Sequence, residues 1–452
     1  MTKSASMSVT ASPTAPELAD GPGASASTRL AILGSLVVTF LAGSSAPTPL
    51  YGTYQAMWGF SAVTTTVVFG IYAVAVLLGL LYLGRLSDHM RRKPVLYIAL
   101  GFQLVAMALL ATANDVAMLL GARMVQAVST GAAMAAVGAA MLDVDQLRGS
   151  VTNAVAPGTG TATGARASAL MVVALPAPTH LIHITLAAVF AAQAVLLRLV
   201  PETASRRPGA FRAVRPTLTV PDEVRGRVLA AAPVLFAVWA LAGFYGSLGP
   251  GLVSTLTGTE SIVLGGTALF VLVGIAALAV FVLRRVTTPR VLMVGIGSLI
   301  AGVVVLLAGV HAGAPVAFFV GTAIAGVGFG SGFQGALRLV LPTVQPEDRA
   351  GTMSVLYIVS YLGMGVPAVG AAELVVHGSA LVDAATAYGA VVVGLAALAA
   401  PGLTVPRLAS RWRSASGSYP GGGWWRGALR VVPCADPRGR CDVAVPECRG
   451  GA

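Results

Sequence analysis

Apolar residues in this chain come in long blocks rather than at isolated helical or strand intervals. Twelve blocks of roughly 18–25 residues lie near 30–50, 61–83, 94–112, 116–142, 151–174, 180–200, 229–252, 262–283, 291–310, 314–341, 352–376 and 381–404. A bilayer core about 30 Å thick needs about 20 helical residues at a rise of about 1.5 Å, so each block is long enough to cross it. Backbone groups in hydrocarbon must pair within one helix or around a closed barrel, and the alternating pattern of barrel strands is absent. The pattern predicts an all-α polytopic membrane protein with twelve transmembrane helices.

Composition agrees. Hydrophobic residues make up 56% of the 452 positions and charged residues 10%, with a mean hydropathy of +0.82. A soluble chain of this length needs far more charge to cover its surface. The net charge of +12 raises nucleic-acid binding, and its placement decides against it. With the N-terminus inside, 27 of the 29 basic residues fall on the cytoplasmic side or at helix ends facing it, while Arg123 and Arg166 lie within spans. The opposite loops at 176–180, 257–261 and 311–315 hold no Lys or Arg. That is the positive-inside pattern, and it places both termini in the cytoplasm of a multi-pass plasma (inner) membrane protein. Residues 1–28, rich in Ser, Ala, Thr and Pro, read as a disordered tail. The apolar run after them reads as an uncleaved first helix rather than a signal peptide.

The longest polar interval between spans, 201–228, separates six blocks from six and reads as a cytoplasmic linker. It divides the chain into a six-helix bundle over 29–200 and a second over 229–405. The halves echo each other about 200 residues apart. LAGSSAPTPLYG (41–52) parallels LAGFYGSLGPGLV (241–253), and GARMVQAVSTGAAMAAVG (121–138) parallels GTAIAGVGFGSGFQGALR (321–338). GRLSDHMRRK (84–93) meets LRRVTTPRVL (283–292) at the same offset. Internal duplication in a helical membrane chain points to a transporter with its site between the repeats.

Charge is concentrated at one place. Arg85, Asp88, Arg91, Arg92 and Lys93, with His89, crowd the turn between spans 2 and 3. The segment GRLSDHMRRKP (84–94) resembles the loop motif of the major facilitator superfamily, with Gly84, Leu86, Asp88, Arg92 and Lys93 matching and Arg91 where a second glycine is usual. LGARMVQAVSTGAA (120–133) is similar to the superfamily's span 4 pattern, with Arg123 and Gln126 matching. The stretch SSAPTPLYGTYQAMWGFS (44–61) looks like one bacterial subfamily of such carriers. The resemblance covers about 29–405 and implies two pseudo-symmetric six-helix bundles. It also implies that Asp88 lies against the start of span 11, near 349–352, while Arg92 or Arg91 pairs with Asp143 or Asp145. Gly84, Asp88, Arg91, Arg92, Lys93 and Asp143 are thus the expected conformational latch. A cluster that merely fixes topology is the alternative.

Arg123 lies deep in span 4, where an arginine costs about 2.5–3.5 kcal/mol on insertion scales and needs a partner or a cavity. Gln126, Ser129 and Thr130 extend the same polar flank. In proton-driven members of the superfamily the matching arginine assists coupling; neighbouring carbonyls would satisfy it equally well. No Asp or Glu occupies the middle of a span, so proton coupling must use a group near a helix end or His183. The superfamily builds its cavity from spans 1, 4, 7 and 10. This makes Ser44, Thr48 and Tyr51, Trp239 and Tyr245, and Phe329, Phe333 and Gln334 the candidate lining. Such walls suit a neutral or amphipathic solute. Span 5 lacks the superfamily's antiporter pattern, and Arg166 intrudes there.

After Arg407 the sequence changes character, and 406–452 reads as a disordered cytoplasmic tail holding all three cysteines, Cys434, Cys441 and Cys448. Three thiols without CxxC pairing or a nearby His do not suit a zinc site, and the expected inside location argues against structural disulfides. No cofactor is expected, and no paired carboxylates or nucleotide-binding loop suggest an enzyme. The leading expectation is a monomeric secondary transporter that moves a small organic molecule out of the cell against protons. Uptake of a polar metabolite or sugar is a second reading, and a membrane sensor or non-transporting remnant a third.

Overall fold

The computed structural model describes residues 24–206, 208, 218–259, 261–345 and 348–404. The C-terminal tail and its cysteines, most of the 1–28 segment and the middle of the linker lie outside them. Twelve long helices account for most of the described chain. They are α1 (Ala26–Ser45), α2 (Ala62–Leu78), α3 (Arg92–Ala111), α4 (Val116–Val144), α5 (Gln146–Ala174) and α6 (Pro178–Leu196), then α7 (Asp222–Ser247), α8 (Ile262–Val282), α9 (Thr288–His311), α10 (Pro315–Val340), α11 (Arg349–Val376) and α12 (Leu381–Thr404). Several boundaries depart from the hydropathy pattern for local reasons. Ser25 caps α1 by accepting from the Thr28 N–H, so the helix starts inside the expected tail. Asp145 caps α5 at the Arg148 N–H, and Asp222 and Glu223 in the first turn of α7 favour an earlier start there than 229. The linker is correspondingly shorter than expected.

Pro47 and Pro49 stop α1. A short 3₁₀ turn, Thr48–Leu50, and a further helical segment, Tyr51–Trp58, follow, and together with α1 they make one span, Ala26–Trp58, on which Tyr51 lies beyond the break. Of the described helices, eleven segments are long and apolar enough to cross a membrane. Helix α5 is the long one that misses on hydropathy, chiefly because Arg166 lies in its apolar half; Thr159, Thr161 and Thr163 add to this, with hydroxyls that donate back to carbonyls of the preceding turn. It also packs both ways: a Cβ at Gly160 would lie 2.4 Å from the Val38 carbonyl of α1, and one at Gly158 would lie 2.9 Å from the Ala277 Cβ of α8.

The same packing scheme occurs twice. Helices α1–α5, α2–α4 and α3–α4 pack in the first half as α7–α11, α8–α10 and α9–α10 do in the second. The first hydrophobic core draws on residues 30–200 and the second on 234–399, joined by Ala162. Between halves, α5 lies along α8 and α2 along α11, which are also equivalent pairs. The most extensive helix contact is α9 with α10. Gly295, Gly302 and Gly309 face Gly332, Ala325 and Phe318, with an added Cβ meeting backbone at 2.3–2.6 Å. Only glycine allows helices so near, and the contact replaces side-chain packing with backbone dispersion.

Candidate functional site

The proline break in α1 creates the first half of the site. Pro47 has no N–H to give the Gly43 carbonyl, and α1 ends before the Ser44 carbonyl finds a partner. Side chains of α4 and α5 take the freed acceptors. Gln126 Nε2 donates to Gly43 O at 2.9 Å, Arg123 donates to Ser44 O at 3.1 Å, and Ser168 Oγ donates to Ala46 O at 2.6 Å. Arg123 also donates to Gln126 Oε1 and lies over the Tyr72 ring, its Cζ 3.9 Å from the centroid. It is 1% exposed, and among the described residues no carboxylate pairs with it. Sequence reasoning did not single out Tyr72. Its α2 position opposite α4 becomes apparent only in the packed bundle.

More buried polar groups surround this contact. Tyr51, Tyr54, Gln103 and His183 are all at most 4% exposed. The Tyr51 and Tyr54 hydroxyls, both ends of the Gln103 amide, Arg123 Nε and His183 Nε2 make no hydrogen bond of normal geometry among the described residues. His183 Nδ1 is 2.7 Å from the Thr179 carbonyl one turn back. Thr48 and Ser44 are half-buried, and the Ser44 hydroxyl bonds to Leu41 O.

In the second half, Trp239 of α7 gathers three rings. Its centroid is 5.1 Å from Tyr361, 5.9 Å from Phe333 and 6.5 Å from Phe329. Tyr361 continues across the bundle boundary to Ala75, Val76 and Ala127, near Tyr72. Trp239 Nε1 is buried without a partner among the described residues. Gln334 holds the Val280 carbonyl at 3.2 Å, and its own oxygen has no partner among the described residues. Tyr245 departs from its expected place: it is 2% exposed, bonds to Thr322 and packs on Phe244 and Phe318 within the second core. The aromatic side of α7 is therefore split, with Trp239 at the boundary and Tyr245 behind it.

At the end rich in basic residues, the 84–93 turn is tied to its own bundle. Arg92 pairs with Asp88, donates to Ser87 Oγ at 2.8 Å and reaches Asp143 Oδ2 at 3.4 Å. Glu202, which the sequence reading overlooked, spans the start of α3: its two oxygens accept from the Arg92 and Lys93 N–H groups, each at 2.9 Å. Thr203 adds a 2.7 Å bond to Asp143. Asp88 is half-exposed and bonds within this cluster, whereas at the start of α11 a Cβ on Gly351 would lie 2.7 Å from Thr219 O. Asp145 is engaged as the α5 cap. Arg91 has φ +76° and ψ 158°, a region costly for any residue with a Cβ, so the missing glycine of the loop motif falls where glycine is wanted.

At the opposite end the contacts cross between bundles. Arg166 of α5 donates to Thr267 Oγ1 at 2.6 Å and Val263 O at 3.3 Å, both on α8. Phe69 of α2 closes over Gly246 of α7, where a Cβ would meet its ring at 2.6 Å.

Two six-helix bundles, related by repeated packing and meeting over polar and aromatic walls, define a multi-pass membrane transporter. The family model described as Major Facilitator Superfamily matches residues 31–368, and the chain belongs to that superfamily. Among solved structures it is similar to the nucleoside transporter NupG, in its D323A mutant, with a TM-score of 0.63 at 14% identity over 83% of this chain and 99% of that one. That likeness concerns the fold. No curated protein matches the chain by sequence. The chain is thus a secondary transporter of small molecules, in a family of carriers rather than enzymes.

Proposed function

We propose that this carrier exports a small, largely apolar organic molecule in exchange for protons, working as a monomer in the plasma (inner) membrane with both termini in the cytoplasm. The observation that carries the reading is the wall where Trp239, Phe329, Phe333 and Tyr361 face Tyr72 and Arg123 across the bundle boundary. Aromatic faces bind a flat or amphipathic solute, and the buried arginine couples its passage to charge movement. Ser44, Thr48, Tyr51 and Gln126 line the first-bundle side of this path, and Gln334 follows Phe333 on the second-bundle side.

In this reading the described arrangement is the inward-facing one. Arg166 and Phe69 close the outer side, and the cluster of Asp88, Arg91, Arg92, Lys93 and Asp143 beside Gly84 holds the 84–93 turn ready. On conversion to the outward-facing state, Asp88 leaves Arg92 and meets the positive end of α11. The test uses inverted vesicles holding the protein and an imposed proton gradient. Aromatic and amphipathic compounds should dissipate the gradient with wild-type protein and fail with Trp239→Ala. Dissipation that is equal in both, or no dissipation with labelled sugars accumulating in right-side-out vesicles, contradicts the export reading.

A further inference from the structure

Arg123 is a buried cation for which the described residues supply hydrogen bonds but no opposite charge. Water could satisfy the unpartnered polar atoms near it, yet water does not neutralise a guanidinium. Most of those atoms are donors. Arg123 Nε gives one hydrogen, Gln103 Nε2 two, and the Tyr51 and Tyr54 hydroxyls one each. They are close in space around the end of α1. The position a Cβ would take on Gly43 is 3.4 Å from Gln103 Nε2 and 3.6 Å from Gln126 Nε2, and Gln126 in turn bonds to Arg123. The Tyr51 hydroxyl oxygen lies within hydrogen-bonding reach of the same guanidinium, which leaves its own hydrogen to give, and Tyr54 lies within electrostatic range. Gln103 comes from α3 and was not among the lining candidates.

A donor-rich, singly positive, acid-free cluster selects a single negative charge with several lone pairs. We infer that the first bundle holds a binding site for a monocarboxylate, received by Arg123, Gln103, Tyr51 and Tyr54. A dianion would leave a net negative charge in the bundle core, and a cation would be repelled. The site deepens the transport reading, on which its role in carriage rests: the solute's apolar part would face the aromatic wall and its carboxylate the arginine. The carboxylate could equally arrive as a free small acid, and the experiment separates the two sources.

Binding is read from the melting midpoint of the purified full-length protein in detergent, titrated with benzoate, acetate and their neutral amides, since a ligand of the folded state raises the midpoint with concentration. Benzoate should raise it and benzamide should not. Tyr54→Phe and Gln103→Leu, which keep most of the packing, should each weaken the benzoate response about ten- to a hundredfold, the loss expected for one hydrogen bond to a charged group. If acetate acts at the same concentrations as benzoate, the site takes a free small acid; if benzoate acts far below acetate, it takes the solute's own carboxylate. Equal shifts from amide and carboxylate, no shift at all, or a benzoate response unchanged in both variants overturns the inference. Neutral aromatic compounds that still dissipate the proton gradient in those circumstances leave the transport reading standing.

Discussion

The two ends of the molecule each rely on an arginine, and the two arginines connect different things. Arg92 binds Asp88, Ser87 and Asp143, all within the first bundle, and its N–H shares Glu202 with Lys93. Arg166, roughly 30 Å along α5 from its basic end, instead reaches Thr267 and Val263 in the other bundle. A network inside one bundle travels with it and survives a rocking motion. A bond between bundles must break in every cycle, so its strength biases the conformational equilibrium directly. In the proposed cycle closure alternates between the ends, and the described arrangement has Arg166 bonded across the two bundles.

The comparison is most sharply broken at Asp88. Asp88→Asn should leave the protein inserted in the membrane but slow transport by about tenfold or more, a loss of about 1.4 kcal/mol at the rate-limiting barrier, measured in proteoliposomes. Next comes Glu202→Gln. It removes the carboxylate bridging two N–H groups at the start of α3 and should cost about 1–2 kcal/mol of stability, seen as a lower melting midpoint. At the opposite end, Thr267→Val deletes one acceptor of Arg166. Weakening that contact by about 1 kcal/mol should shift the population roughly fivefold toward the form opened there, measured by the distance between spin labels at Val173 and Val376. The smallest effect is expected at Arg91. Arg91→Gly should raise the melting midpoint by relieving about 1 kcal/mol of backbone strain, while Arg91→Ala, which keeps a Cβ, should not.

Much of the fold was legible because a span announces itself by length and hydropathy. The twelve helices fall near the twelve apolar blocks, and α5 was recovered even though Arg166 and the threonines lower its hydropathy. The basic turn and Arg123 could be read from motif spacing; the family resemblance implied a pair of Arg92 or Arg91 with Asp143 or Asp145, and Arg92 with Asp143 is the one that forms. Other features depended on which faces meet. Pro47 in the sequence predicts a break, but not that Gln126 would take the carbonyl the proline leaves free. Trp239 and Tyr245 look alike in the sequence of α7; six residues apart, they separate by the helix's own rotation into a boundary residue and a core residue. Glu202 looked like linker because a cap contributed from a hundred residues away carries no local signature. Arg166 read as an intruder in a span until α8 placed an acceptor hydroxyl and a carbonyl beside it.

The central claim is that the bundles rock as units, opening one end as the other closes. Spin labels at Leu147 and Arg349 would report the basic end, and labels at Val173 and Val376 the opposite end, with all four positions exposed on α5 or α11. In lipid nanodiscs, Arg166→Ala should lengthen the Val173–Val376 distance and shorten the Leu147–Arg349 distance. Distances that lengthen together, or a change confined to one end, would contradict rocking as the transport motion.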